Sequence, residues 1–350
     1  MKASRSRSVE SIAAPAPNRR RNSRRLAVVL LVLTALLAGC SAGSGSAPQS
    51  SGSAAKALTI GLTYTPDIQF APFYVGVEKG FFADEGLHVT LRHHGASESL
   101  TGALQAGEEN VVYAGGDEMM VSRSQGVDVV SFATLYQTYP AELIVPADSP
   151  ITRPEDLKGH SVGLPGEYGQ NWYALLALLK QAGLSRSDVN IQSIGFTQQA
   201  ALTSHKVDSV LGFSNNDAVK FRQAGFAIRE IRLAPDAALV GAGLGASAAT
   251  VKDRRADLQA LIRGLARSIA YCRTNPDDTV AIAAKYVPTL STQAQKDAAK
   301  AVLEATNSLY GDNIGQQDPQ RWSDMSAFLL ASGIMTRAVQ PGDAFTSLAP

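Results

Sequence analysis

From residue 57 onward the chain alternates short apolar runs with amphipathic segments, and no other feature restricts its fold as much. Ten runs read as strands: 57–64, 87–94, 110–115, 128–136, 141–147, 160–166, 189–195, 209–214, 227–233 and 238–247. Helical patterns fill most gaps, among them PFYVGVEKGFFADEG, SESLTGALQAG, DEMMVSRSQG, NWYALLALLKQAG, TQQAALTSH and NNDAVKFRQAG. Three of these close on Ala-Gly, as helix C-caps do. From Val251 the pattern is almost entirely helical. Such alternation builds α/β lobes with largely parallel sheets. Its order predicts one lobe over 58–138, a second over 139–234, and a return to the first over 235–350 with a helical C-terminal part. The carboxyl ends of the strands would then face a cleft between the lobes, a natural site for a small ligand.

The N-terminus is of another kind. Eight Lys or Arg against one Glu occupy residues 1–25, and the uncharged LAVVLLVLTALLAGC follows. The apolar core of that run is shorter than the roughly 20 residues a membrane-crossing helix needs, so residues 1–40 read as a cleaved secretion signal. The ending Leu37-Ala38-Gly39-Cys40 resembles the lipobox of bacterial lipoproteins, which implies acylation of Cys40. Residues 41–57 are small and polar, a flexible tether. The general secretory route is the expectation, over a twin-arginine one. Without residues 1–40 the chain has 24 basic against 30 acidic residues, a formal charge of −6. A phosphate-binding surface for nucleic acid is therefore not expected. With Cys40 acylated, Cys272 has no disulfide partner and reads as a buried small hydrophobe.

Four strand-to-helix junctions carry polar and aromatic residues where plain turn chemistry would suffice: TPDIQFAPFY (65–74), AGGDEMM (114–120), PGEYGQNWY (165–173) and FSNNDAV (213–219). Glycines there let backbone N–H groups approach a ligand, and helix N-termini add partial positive charge. Each cluster also has a structural reading. Asp117, Asn215 and Asn216 suit helix N-caps, Phe73 and Tyr74 suit the core, and Trp172 and Tyr173 open a strongly apolar helix. No nucleophile elbow, Walker lysine or HExxH motif is present. His93 and His94, adjacent on a strand, point to opposite faces, so they read as a strand-end surface pair and not a metal site. The chemistry on offer is binding, and neither a cofactor nor a metal is expected.

APFYVGVEKGFFADEGLHVTL, DLKGHSVGLPG and IGFTQQAAL together resemble the substrate-binding proteins of the NMT1/THI5-like group, relatives of sulfonate and nitrate binders of ABC importers. DIQFAPFY, AGGDEMMVSRSQGVDVV, LYQTYPAELIV and FSNNDAV are most similar to the branch that binds thiamine-pyrimidine precursors or riboflavin. The resemblance implies a type II periplasmic-binding-protein fold, two α/β lobes around a ligand cleft. It also implies a monomeric, lipid-anchored, non-enzymatic protein that hands a planar heterocycle to a permease and its ATPase. Position by position it implies a pocket of Asp67, Gln69, Phe70, Phe73, Gly116, Asp117, Tyr136, Gln137, Glu167, Tyr168, Trp172, Asn215 and Asn216. Rings would stack on the ligand while carboxylates and amides pair with its edge. The hinge would lie near 137–141 and 233–238. A sulfonate or nitrate binder would place Arg or Lys at a junction, and none of the four has one. The fungal members, pyrimidine synthases, use a cysteine-rich motif that is missing here.

Overall fold

The computed structural model describes residues 56–95 and 98–349. The expected signal, Cys40 and nearly all of the tether lie outside the described residues.

Ten strands form two five-stranded sheets. The first contains β1 (Lys56–Leu62), β2 (Leu87–His93), β3 (Val111–Gly115), β4 (Val130–Thr134) and β10 (Ala242–Ala246), in the order β2-β1-β3-β10-β4. The second contains β5 (Ala141–Pro146), β6 (Ser161–Leu164), β7 (Asn190–Ser193), β8 (Ser209–Phe213) and β9 (Ile228–Ile231), in the order β7-β6-β8-β5-β9. The chain crosses between lobes twice, after β4 and after β9. All ten predicted runs overlap one of these strands; six of them read as near-continuous apolar runs, since β3, β4 and β10 are buried at every position and β1, β5 and β8 at most of theirs.

The sheets are mixed, not simply parallel. In each lobe one strand runs against its neighbours: β10 against β3 and β4, and β5 against β8 and β9. These are the two strands that follow a crossing. A chain entering a lobe from the cleft must run away from it, whereas the other strands end there.

Two further expectations need correction. PFYVGVEKGFFADEG is two helices, Ala71–Glu78 and Phe81–Asp84, because Gly80 at φ 73° breaks the run. Nor does the C-terminal part belong to the first lobe alone. Helix Gln293–Asn307 packs on the Ile68–Phe70 turn of the first lobe and on helix Asp217–Gln223 of the second. Trp322, Met325, Phe328 and Leu329 of helix Pro319–Ala331 share a buried cluster with Leu175 and Leu179 of the second lobe and Met120 of the first. The C-terminal helices therefore straddle the two lobes.

Cys272 is fully buried, as expected, and burial pushes its thiol up to about 12. His94 is not at the surface: it is buried, with Nε2 2.8 Å from Glu109 Oε1. His93 does point the other way, its Nε2 3.0 Å from the Tyr74 hydroxyl.

Candidate ligand-binding cleft

The four polar junctions meet across the lobes in two pairs. In the first, the turn after β1 faces the turn after β8. Asp67 opens the short Ile68–Phe70 turn, its Oδ1 accepting from the Gln69 backbone N–H at 3.1 Å and from Gln69 Nε2 at 3.2 Å. That fixes the Gln69 amide, whose Oε1 accepts from Asn215 Nδ2 of the second lobe at 3.0 Å. Asn215 is buried and donates also to Thr306 Oγ1 at 2.9 Å, while its own Oδ1 has no protein partner. Asp217 beside it accepts from the Phe213 N–H, and burial raises its carboxyl above the usual range. Neither Asn215 nor Asn216 caps the following helix with its side chain. Asn216 Oδ1 is likewise buried and unpartnered.

In the second pair, the turn after β3 faces the turn after β6. Asp117 is completely buried; its Oδ2 accepts from the Tyr139 hydroxyl at 2.6 Å and its Oδ1 from the Glu118 N–H at 2.8 Å. It is not an N-cap, since Gly115 precedes the helix and Glu118 Oε2 accepts the Gly115 N–H at 2.9 Å. Burial, reinforced by the Glu118 charge, pushes the Asp117 carboxyl well above its ordinary range, and burial raises that of Glu118. Tyr139 on the crossing donates also to the Gln170 carbonyl at 3.0 Å, tying the two turns together.

A run of rings, buried in the first-lobe core, starts beside the first pair at Phe70. Phe70 lies edge-on to Tyr113 at 6.0 Å, Tyr113 to Tyr136 at 6.2 Å, and Tyr136 to Tyr310 at 5.1 Å between centroids. Burial pushes the Tyr136 phenol up to about 12, and the Tyr113 and Tyr310 hydroxyls have no hydrogen-bond partner. Aromatic rings with unpartnered phenol oxygens beside amides and carboxylates are the chemistry of a planar heteroaromatic site.

The remaining expected residues are placed differently. Phe73 is 1% exposed and packs behind Tyr113 in the first-lobe core, since it sits on the inner face of helix Ala71–Glu78. The Gly116 N–H donates to the Gly241 carbonyl, and Val240 and Trp322 occupy the space a side chain would need; it is a packing glycine. Gln137 donates to the Thr134 and Gln316 carbonyls at 2.9 and 3.1 Å, which makes it a strut of the crossing. Trp172 is buried beneath the Arg186 guanidinium, 4.7 Å from its ring centre, and Arg186 pairs with Glu167. These three form a cluster in the second lobe. Tyr168 is 58% exposed and lies over Gly166.

Sequence reasoning missed Tyr113, Glu118, Tyr139, Gln170 and Thr306. Glu118 and Gln170 stand inside motifs that were singled out and carry no mark of their own. Thr306 comes from a helix far along the chain, for which no local signal exists. A cavity of about 300 Å³ lies against the crossings, lined by Tyr136, Gln137, Gly241 and residues 316–319, 321 and 322, and it takes in neither polar pair.

Comparison with known proteins identifies the family and the fold. Residues 67–279 match the family described as NMT1/THI5 like. The chain is 30% identical to the riboflavin-binding protein RibY of Chloroflexus aurantiacus, over 91% of this chain and 95% of that protein. It is 23% identical to the formylaminopyrimidine-binding protein of Halalkalibacterium halodurans, over 92% and 98%. Among solved structures, the aliphatic sulphonate binding protein SsuA of Escherichia coli superposes with a TM-score of 0.69 at 17% identity, over 82% of this chain and 91% of that one. That likeness shows the type II periplasmic-binding-protein fold. By profile, by relatives and by architecture, the chain belongs to the NMT1/THI5-like family.

Proposed function

We propose that the chain is the extracytoplasmic, lipid-anchored binding component of an ABC importer, and that it captures a small planar heterocycle. The observation that carries this reading is the Phe70–Tyr113–Tyr136 ring series beside Asp67, Gln69 and Asn215, together with a second polar pair between the lobes at Asp117 and Tyr139. Rings hold a flat ligand by face or edge, and the amides and carboxylates read its rim. The relatives named for riboflavin and formylaminopyrimidine support the same class.

An inorganic or sulfonate anion would need a free cation at the cleft. Arg186 is occupied by Glu167 and Trp172, and the four junctions contribute no Lys or Arg of their own. Relatives named as 4-amino-5-hydroxymethyl-2-methylpyrimidine phosphate synthases align with only about half of the chain. We therefore read the cleft as one for capture and release, with the second lobe closing over ligand held on the first. Handover to a permease follows from the extracytoplasmic location and from Cys40 acylation.

A thermal-shift panel tests this reading on the chain beginning at residue 41. Riboflavin, hydroxymethylpyrimidine, formylaminopyrimidine, taurine and nitrate serve as candidates, and at least one heterocycle should raise the melting temperature. Stabilisation by taurine or nitrate alone would remove the heterocycle assignment. An absorbance band of an internal aldimine after addition of pyridoxal phosphate would point to an enzyme instead.

A further inference from the structure

Two carboxylates and one amide gather over Gly115. A Cβ placed there would press on Asp117 Oδ1 and lie 2.9 Å from Glu118 Oε2 and 3.0 Å from Gln170 Nε2. Gln170 is only 8% exposed, yet its Nε2 has no hydrogen-bond partner. A buried amide donor left unsatisfied is destabilising unless something else accepts from it. Glu118 shows the complementary feature. Its Oε2 is used by the Gly115 N–H, while Oε1 takes no bond from the protein and faces Gly169 of the second lobe, 3.3 Å from where a Cβ would stand. Among the described residues no Lys, Arg or His lies within ion-pair distance of Asp117 or Glu118, and their other polar neighbours are the phenols of Tyr139 and Tyr173. One open acceptor and one open donor thus stand side by side, on opposite lobes.

We propose that Glu118 Oε1 and Gln170 Nε2 form a specificity subsite that reads an N–H donor adjacent to a ring nitrogen or carbonyl acceptor on the ligand edge. The inference rests on the heterocycle reading above and deepens it. Glu118 accepts from the ligand N–H, Gln170 donates to the neighbouring acceptor, and Asp117, anchored by Tyr139, positions the turn. An imide edge, as in a flavin, and an amidine edge, as in a 4-aminopyrimidine, both offer that pair. Because the two protein groups belong to different lobes, the contact is complete only when the cleft is closed. The ligand edge is then part of what holds the closed form.

Calorimetry on the chain beginning at residue 41 tests the subsite, with riboflavin, N3-methylriboflavin, 4-amino-5-hydroxymethyl-2-methylpyrimidine and formylaminopyrimidine as probes. Whichever parent heterocycle binds should bind E118Q about 10- to 100-fold more weakly, the range for loss of a charge-assisted hydrogen bond. Q170L should weaken it about 5- to 20-fold. Since Gln170 Nε2 makes no bond within the protein, Q170L carries the test even if E118Q melts early. If riboflavin is the ligand, N3-methylation should abolish the difference between wild type and E118Q, a coupling that a merely structural role would not produce. Binding of a parent heterocycle with unchanged affinity in both variants overturns the subsite and leaves the heterocycle reading standing. Failure of the wild type to bind riboflavin, 4-amino-5-hydroxymethyl-2-methylpyrimidine or formylaminopyrimidine overturns both.

Discussion

Glu142 is a carboxylate out of keeping with its surroundings. It stands on β5, just after the first crossing, 2% exposed, and neither carboxylate oxygen accepts a hydrogen bond. Arg232 Nε approaches Oε2 at 3.4 Å without hydrogen-bond geometry and Arg222 acts from further away; burial outweighs both and, with a smaller push from the Asp217 charge, raises the carboxyl to about 7. A carboxyl whose folded value is raised binds its proton more tightly in the native state. Stability from this group is therefore full below the unfolded value, falls as pH rises towards about 7, and is flat above it. The penalty above that window is on the order of 2–3 kcal/mol. Glu142→Gln removes it, so denaturant melts should find the variant about 2 kcal/mol more stable than wild type at pH 8 and indistinguishable near pH 4. A constant difference across that range would mean that the carboxylate is neutralised by Arg232 after all. Nothing in AELIVPA distinguishes this glutamate from an edge-strand residue. Its desolvation is set by β8 and β9 on either side of it, which the sequence places nowhere near.

Elements were legible in proportion to how far local pattern alone decides them. All ten strands follow from apolar runs bounded by turn chemistry, and the cleft junctions follow from polar residues set just after those runs. Direction was not legible, because antiparallel β10 and parallel β3 are both short, fully buried and rich in small residues. The break at Gly80 was missed for a related reason: VGVEKGFF continues a helical apolar period straight through it. The two elements use glycine differently, and substitution should separate the uses. Gly80 sits at φ 73° with open space around it, so Gly80→Ala incurs only the left-handed backbone penalty, about 1 kcal/mol. A Cβ on Gly243, in the middle of β10, would collide with the Ala133 carbonyl across the sheet. Backbone cannot yield as a side-chain tip can, so Gly243→Ala should cost about 3 kcal/mol or more. Urea melts that return equal losses for the two variants would refute the distinction.

At the scale of the whole molecule, the interface between lobes has two unlike sides. On one side the Pro319–Ala331 helix is buried against both lobes through Trp322, Met325 and Phe328, an apolar contact. On the other side Val219 is buried with the first-lobe cluster, and beside it stand polar or exposed contacts: Gln69 with Asn215, Gln223 Nε2 donating to the Ala298 carbonyl at 2.9 Å, and the exposed rings of Tyr64 and Phe196 at 6.0 Å. We propose that a molecule so built opens where the contacts are polar and pivots where they are apolar, with the crossings as the hinge and the Asn215 side as the latch. The sequence hinted at the hinge, through the crossings, but not at the latch, since Thr306 and Asn215 are brought together by a helix whose pattern records only its own apolar face. Asn215→Ala removes two hydrogen bonds of the second lobe, one to Gln69 and one to Thr306, together with an amide oxygen that has no protein partner. Encounter with the open form should be untouched, and the loss should fall on dissociation. Stopped-flow measurement with the stabilising heterocycle should show a dissociation rate raised about 10- to 100-fold with an association rate within twofold of wild type. Small-angle scattering should show ligand compacting wild type at saturation and compacting the variant less. A fall in association rate with dissociation unchanged would place Asn215 on the entry path, and the latch would have to be sought at Tyr64 and Phe196 instead.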